Sequence, residues 1–327
     1  AAALETDLAQ LLTEDPLAGV GMAPAHRVFD ARWLRSPQAR LELVGVVNRM
    51  DREPQWRARG KDGCGELRLV YRLAYEVDVR DHEEAAPRRL QSRLPLTVAV
   101  VMRVPDPKNG CVTAAQGWIA PSSLAGAALG RWLVSEGGPL SPHALDLAHL
   151  AGVSVNLQQV RWPSLVHPTM GGHSEYLLRR WVATRTTISG PVTLVEGPLE
   201  NTPDVDRIKE DRALWKALKA WIKAPANLAR IDEGTAVLPT RFLATRSVSV
   251  APRGFERLAN RPMSQLFAPW RFRRLPLART HTIKSPEALL RRLDALSCAG
   301  CHQSRSHAGF HLLGEDPVEQ TEDALHV

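Results

Sequence analysis

The chain has 327 residues, of which 44% are apolar and 24% charged, and carries a formal net charge of +7. That length supports one large domain or two ordinary ones, and no apolar run approaches the eighteen residues of a membrane helix, so a transmembrane protein is not expected. Arginine supplies 35 of the 42 basic residues, scattered among acids instead of gathered on one face or tail, which argues against a nucleic-acid partner.

Residues 1–25 read as a leader. The opening AAALETD lacks a methionine and suits a processed, exported protein whose signal peptide is gone. A short helix over 4–12 gives way to a loop. From 26 to 200 the pattern is of strands: LELVGVVNR (41–49), ELRLVYRLAYEVDVR (66–80) and LPLTVAVVMRV (94–104). In the second, Leu67, Leu69, Tyr71, Leu73, Tyr75, Val77 and Val79 alternate with other residues, the period of a half-buried strand. Polar, proline-bearing connections suggest antiparallel pairing. A helical patch around 121–150 precedes three more strand-like runs at 152–161, 174–185 and 191–197. His167 and His173, in and after the loop between the first two, read as ordinary histidines, and Glu83 with Glu84 as a solvated turn.

Beyond 200 the chain turns helical. Residues 201–225 predict one helix, with Thr202 as cap, Pro203 in the first turn and an apolar stripe of Ile208, Trp215, Leu218 and Ile222. A strand is expected over 235–251. The basic segment WRFRRLPLARTH (270–281) reads as an edge strand or loop with solvated arginines, or as a face toward an acidic partner or ligand carboxylates. A second helix starts at Ser285 and Pro286, carries Leu289, Leu293 and Leu296 on one face, and runs into Cys298. The expected fold is α+β: an antiparallel sheet-rich part (26–200) followed by a more helical part (201–327).

Four cysteines form two sets. Cys64 and Cys111 each lie beside a turn signal. A disulfide between them would close a loop of about fifty residues, worth about 4 kcal/mol in the chain-entropy account, and would imply an oxidising compartment. Two buried thiols are the alternative.

Cys298 and Cys301 stand in Cys298-Ala-Gly-Cys301-His302. Two cysteines three apart match the spacing of porphyrin vinyl groups, and the following histidine can return to the iron. The segment resembles the haem-attachment site of c-type cytochromes. The resemblance implies haem c, with Cys298 and Cys301 as thioether donors and His302 as proximal ligand. It covers five residues, and the strand-rich first half departs from the cytochrome fold. In addition, CGELRLVYR, RWPS and VSVAPRGFERLANRP look like uncharacterised secreted bacterial proteins ending in a cysteine–histidine motif, which implies a periplasmic or secreted location but no activity.

Three rivals fit the same letters. A thioredoxin-type redox pair wants its first cysteine at a helix N-terminus, whereas Cys298 follows a helix. A structural disulfide between Cys298 and Cys301 needs no cofactor at all. A zinc clip would use Cys298, Cys301, His307 and His311, although a five-residue spacer crowds the tetrahedron. No Walker loop, nucleophile elbow or H-E-x-x-H motif competes.

If haem is present, His307 and His311 are tethered too closely to His302 to cross the ring. Met263 and His281 are therefore the candidates for the distal ligand, Met263 first. The leading expectation is an exported monohaem protein for electron transfer or redox sensing, with a redox partner protein. The alternatives are an extracellular binding or structural protein, and a haem enzyme such as a peroxidase.

Overall fold

The computed structural model describes residues 2–6, 31–58, 60, 62–79, 88–106, 110–119, 123–161, 173–185, 190–248 and 261–298. The helix at residues 2–6 (α1) overlaps the expected 4–12 element at residues 4–6, and the rest of the leader lies outside the described residues.

Six strands follow in a meander: β1 (Ala39–Arg49), β2 (Glu66–Val79), β3 (Arg88–Arg103), β4 (Leu150–Arg161), β5 (His173–Thr184) and β6 (Thr193–Glu196), each antiparallel to the next. Alternation along β2 explains both faces. Leu67, Leu73 and Tyr75 look one way, where Tyr75 stacks on Trp33 with ring centroids 4.6 Å apart. Leu73, Leu94, Leu96, Leu157 and Leu177 close one core on that side, with Leu4 against it. A smaller cluster of Leu67, Met102 and Leu140 closes toward α4 (Gly126–Leu133). Arg68, Val70 and Arg72 look the other way, onto a face that mixes arginines with buried apolar residues.

Between β1 and β2 lies a short helix, α2 (Glu53–Ala58), and after β3 another, α3 (Cys111–Gln116). Cys64 and Cys111 are joined as a disulfide with Cα atoms 5.1 Å apart. Cys111 opens α3, so the bond ties the entry of β2 to a helix start.

The helical part comprises α5 (Val205–Glu210), α6 (Arg212–Lys223), α7 (Pro225–Glu233), α8 (Pro262–Leu266) and α9 (Pro286–Leu296). They share a core that includes Ile208, Ile222, Phe242, Phe267, Phe272 and Leu289. The single helix expected over 201–225 is two helices. Asp211 breaks it, because its carboxylate accepts from the N–H groups of Ala213 (2.8 Å) and Leu214 (3.0 Å) and starts α6 afresh. Asp204, not Thr202, caps α5. Gly234 ends α7 at φ +84°, a left-handed position suited to glycine, and lets Thr235 N donate back to Arg230 O at 2.8 Å.

The strand expected over 235–251 shrinks to β7 (Arg246–Val248). The segment before it supplies Ala236, Leu238, Phe242 and Leu243 to the helical core, so its apolar residues serve packing instead of a ladder. β7 pairs with Leu177–Arg179 of β5, beyond the end of β6, so the sheet takes a strand from each side of residue 200. The basic segment 270–281 forms 3-10 turns at Pro269–Phe272 and Leu277–Arg279, where Arg271 lies over the Trp215 and Trp270 rings. Among the described residues no helix is long and apolar enough to cross a membrane.

Candidate functional site

Helix α9 delivers the first cysteine of the motif. Ser285 Oγ accepts from Ala288 N (3.2 Å), Pro286 fills the first turn, and Leu289, Leu290 and Leu293 anchor the helix in the core. At Ser297 the chain becomes extended, and its hydroxyl donates to Asp294 O at 2.6 Å. The next amide, Cys298 N, donates to Thr202 Oγ1 (2.9 Å) and lies 3.2 Å from Glu200 O. Cys298 is thereby turned off the helix and pinned to the connector between sheet and helices.

That connector is built from three consecutive buried polar residues, Glu200, Asn201 and Thr202. Asn201 sits at φ +50°, a conformation asparagine tolerates better than most residues. Its carboxamide donates to Ala236 O (2.9 Å) and accepts from Leu238 N (2.7 Å), locking the turn. Leu199 N donates to Ala244 O and Ala244 N to Thr202 O, so the connector is hydrogen-bonded on its far side as well.

Under the connector, on the sheet face that carries Arg68, Val70 and Arg72, lies a cleft of about 560 Å³ counting its open mouth. Cys298 and Glu200 line it from above. Its floor is a cross-strand row, Val70–Ala99–Ser154–Arg180, from β2, β3, β4 and β5. Ala99 and Ser154 are short, and the hollow lies over them. Arg68 bounds one side and Thr97 with Asn156 the other.

Charge is concentrated here. Glu200 is 3% exposed and pairs with Arg52 at 2.8 Å, from the turn that follows β1. Glu66 is 2% exposed and pairs with Arg68 at 2.9 Å. Burial opposes ionisation of Glu66, but the positive charges of Arg68, Arg180 and Arg52 outweigh it and hold the carboxyl below its ordinary range. Cys298 is half-buried, and its thiol is bonded to no described cysteine. The arrangement sets a thiol beside an arginine-flanked hollow with a partly apolar floor.

The other residues singled out in the sequence fall elsewhere. Met263 is 1% exposed in the helical core, beside Phe267, and does not line the cleft. His281 lies before α9 while Cys298 follows it, and eleven helical residues separate the two ends by about 16 Å. The His281 side chain is exposed, and its backbone amide serves Asp232. Cys301, His302, His307 and His311 lie outside the described residues, as do His167, Glu83 and Glu84.

Sequence reasoning missed Arg68, Arg180, Glu66 and Glu200. The first three lie on strand-like runs and Glu200 just before the expected helix, with no local pattern to mark them. The run Glu200-Asn201-Thr202 offers a faint signal, since three polar residues between a strand and a helix often form a buried, hydrogen-bonded turn. The chain matches no protein-family model, no curated protein and no solved structure.

Proposed function

We propose that this is an exported monohaem c-type protein, working in electron transfer or redox sensing, with haem held by Cys298, Cys301 and His302. The observation that supports the reading is the position of Cys298. It is lifted off α9, pinned through its amide, and set at the rim of an open cleft instead of inside the core. A structural staple gains nothing from facing a hollow, whereas a thioether donor needs room for a flat ring beside it. The donor set fits: each thiol can add across a porphyrin vinyl group, sulfur to one carbon and hydrogen to the other, with no leaving group. When bound, haem supplies a one-electron iron couple. The chain's own contribution is to fix the Cys298 backbone and to surround the cleft with arginine charge. The Cys64–Cys111 disulfide agrees with export to an oxidising compartment such as the periplasm.

Expression with the cytochrome c maturation machinery tests the reading. The peptide containing Cys298 and Cys301 should gain the mass of one haem that resists acid–acetone extraction. A mass two hydrogens below the reduced peptide, with no haem, would instead assign the pair to a disulfide. Stoichiometric zinc, lost on replacing His307 or His311, would assign it to a metal clip. The absorption spectrum then separates two roles. A low-spin spectrum indifferent to cyanide belongs to electron transfer, and a high-spin one that binds cyanide rapidly belongs to a haem enzyme such as a peroxidase.

A further inference from the structure

Arginines and glutamates around the Cys298 cleft pair unevenly. Arg52 is bridged to Glu200, Arg68 to Glu66 and Arg179 to Glu196. Each of these cations has an acid of its own. Arg180 does not. Among the described residues its guanidinium makes no hydrogen bond, and its charge acts through space on Glu66, already paired with Arg68. The balance leaves one positive charge at the edge of the cleft.

Arg180 stands directly across from Ser154, and Ser154 across from Ala99. The guanidinium therefore flanks the short-side-chain floor, with the Ser154 hydroxyl between it and the apolar patch of Ala99 and Val70. A guanidinium presents parallel N–H groups that match a carboxylate.

We propose that the cleft is a carboxylate-binding site, in which Arg180 takes the carboxylate of a flat, largely apolar acid lying over Ala99 and Ser154. In its choice of ligand the proposal rests on the haem reading: a porphyrin bonded at Cys298, which lines the same cleft, brings carboxylates of its own. A free aromatic acid offers the same chemistry without any bond to Cys298.

The test uses protein made without cytochrome maturation, so that no thioether forms. It is titrated with metal-free protoporphyrin IX, with the dimethyl ester of that porphyrin, and with 2-naphthoate. Esterification and Arg180→Gln should each weaken porphyrin binding by about tenfold or more, the scale of one lost ion pair. Arg180→Lys should retain part of the affinity, and thermal melts by circular dichroism confirm that both variants are folded. Arg68 is left unchanged because its pairing with buried Glu66 supports the sheet. Naphthoate binding with the same dependence on Arg180, without porphyrin binding, keeps the carboxylate site and assigns it to a free acid. Equal binding of acid and ester, affinity unchanged in Arg180→Gln, or no binding of any probe overturns the proposal. The haem reading fails or stands separately, on the mass of the matured protein.

Discussion

Asp232, near the end of α7, gathers one loop around its carboxylate. It accepts from His281 N (2.6 Å), Thr282 N (2.8 Å), Thr282 Oγ1 (2.6 Å) and Ile283 N (3.0 Å). Burial works against its charge, yet the Thr282 hydroxyl and the three backbone N–H groups hold the carboxyl well below the ordinary aspartate range. A depressed folded-state pKa contributes stability that is present above the unfolded value of about 3.9 and lost as the pH falls through the folded value. Asp232→Asn puts an amide among donors that want an acceptor. It should cost about 2 kcal/mol at neutral pH, the scale of hydrogen bonds to a buried charge. Denaturant melts should show the gap from the unmutated protein narrowing below about pH 4, where the aspartate of the unfolded chain takes up a proton. A gap constant from pH 7 to pH 3 would mean that charge plays no part. His281 illustrates how a residue singled out for its side chain can be fixed in place by its backbone instead.

At the scale of elements, α8 and α9 are joined by a carboxylate with the opposite habit. Asp294 of α9 is fully buried and caps α8 from outside, accepting from Met263 N (2.7 Å), Ser264 N (3.4 Å) and Ser264 Oγ (2.5 Å). Burial dominates over those bonds and pushes its pKa up to about 6. The folded state therefore holds this proton more tightly than the unfolded chain, and stability should fall as the pH rises from about 4 through 6. Against Asp294→Asn, which cannot titrate, the unmutated protein should lose about 3 kcal/mol across that window. Parallel melts at pH 4 and pH 7 measure the difference, and matching slopes for the two proteins would refute the shift. None of this is readable from Leu289, Leu293 and Leu296, which reveal the helix but not what its polar face touches. The strands were legible because alternation along 66–79 reports burial on one face whatever lies across it. The break at Asp211 was not, because the stripe of Ile208, Trp215, Leu218 and Ile222 continues through it. The strand expected over 235–251 failed for a tertiary reason: Phe242 and Leu243 pack among helices that sequence order does not bring to mind.

Over the whole molecule, the cleft gathers residues from Arg68 to Cys298, and no local motif joins them. Sequence showed Cys298 because the CxxCH spacing is local. It hid Arg180 and Glu66 because a polar residue on a strand looks solvated until something covers that face. What covers it is the connector at 199–202, and the Arg52–Glu200 bridge is where the connector grips the sheet-side turn. Glu200 is 3% exposed and Arg52 13%, so both charges are largely withdrawn from water. Removing one partner of such a pair strands the other, at a cost of about 3–5 kcal/mol, whereas replacing both with apolar groups of similar size is often close to neutral. Arg52→Met alone and Glu200→Leu alone should each destabilise on that scale, and the double variant should be far less destabilised than their sum. Urea melts of the four proteins measure the coupling. Because the bridge links the sheet part to the connector that also holds Cys298 N, the single variants should unfold the helical part at lower urea than the sheet, giving two transitions by tryptophan fluorescence and circular dichroism. Additive losses in the double variant would show that the two side chains act independently, and that hydrogen bonding by Asn201 and Thr202 alone holds the connector over the cleft.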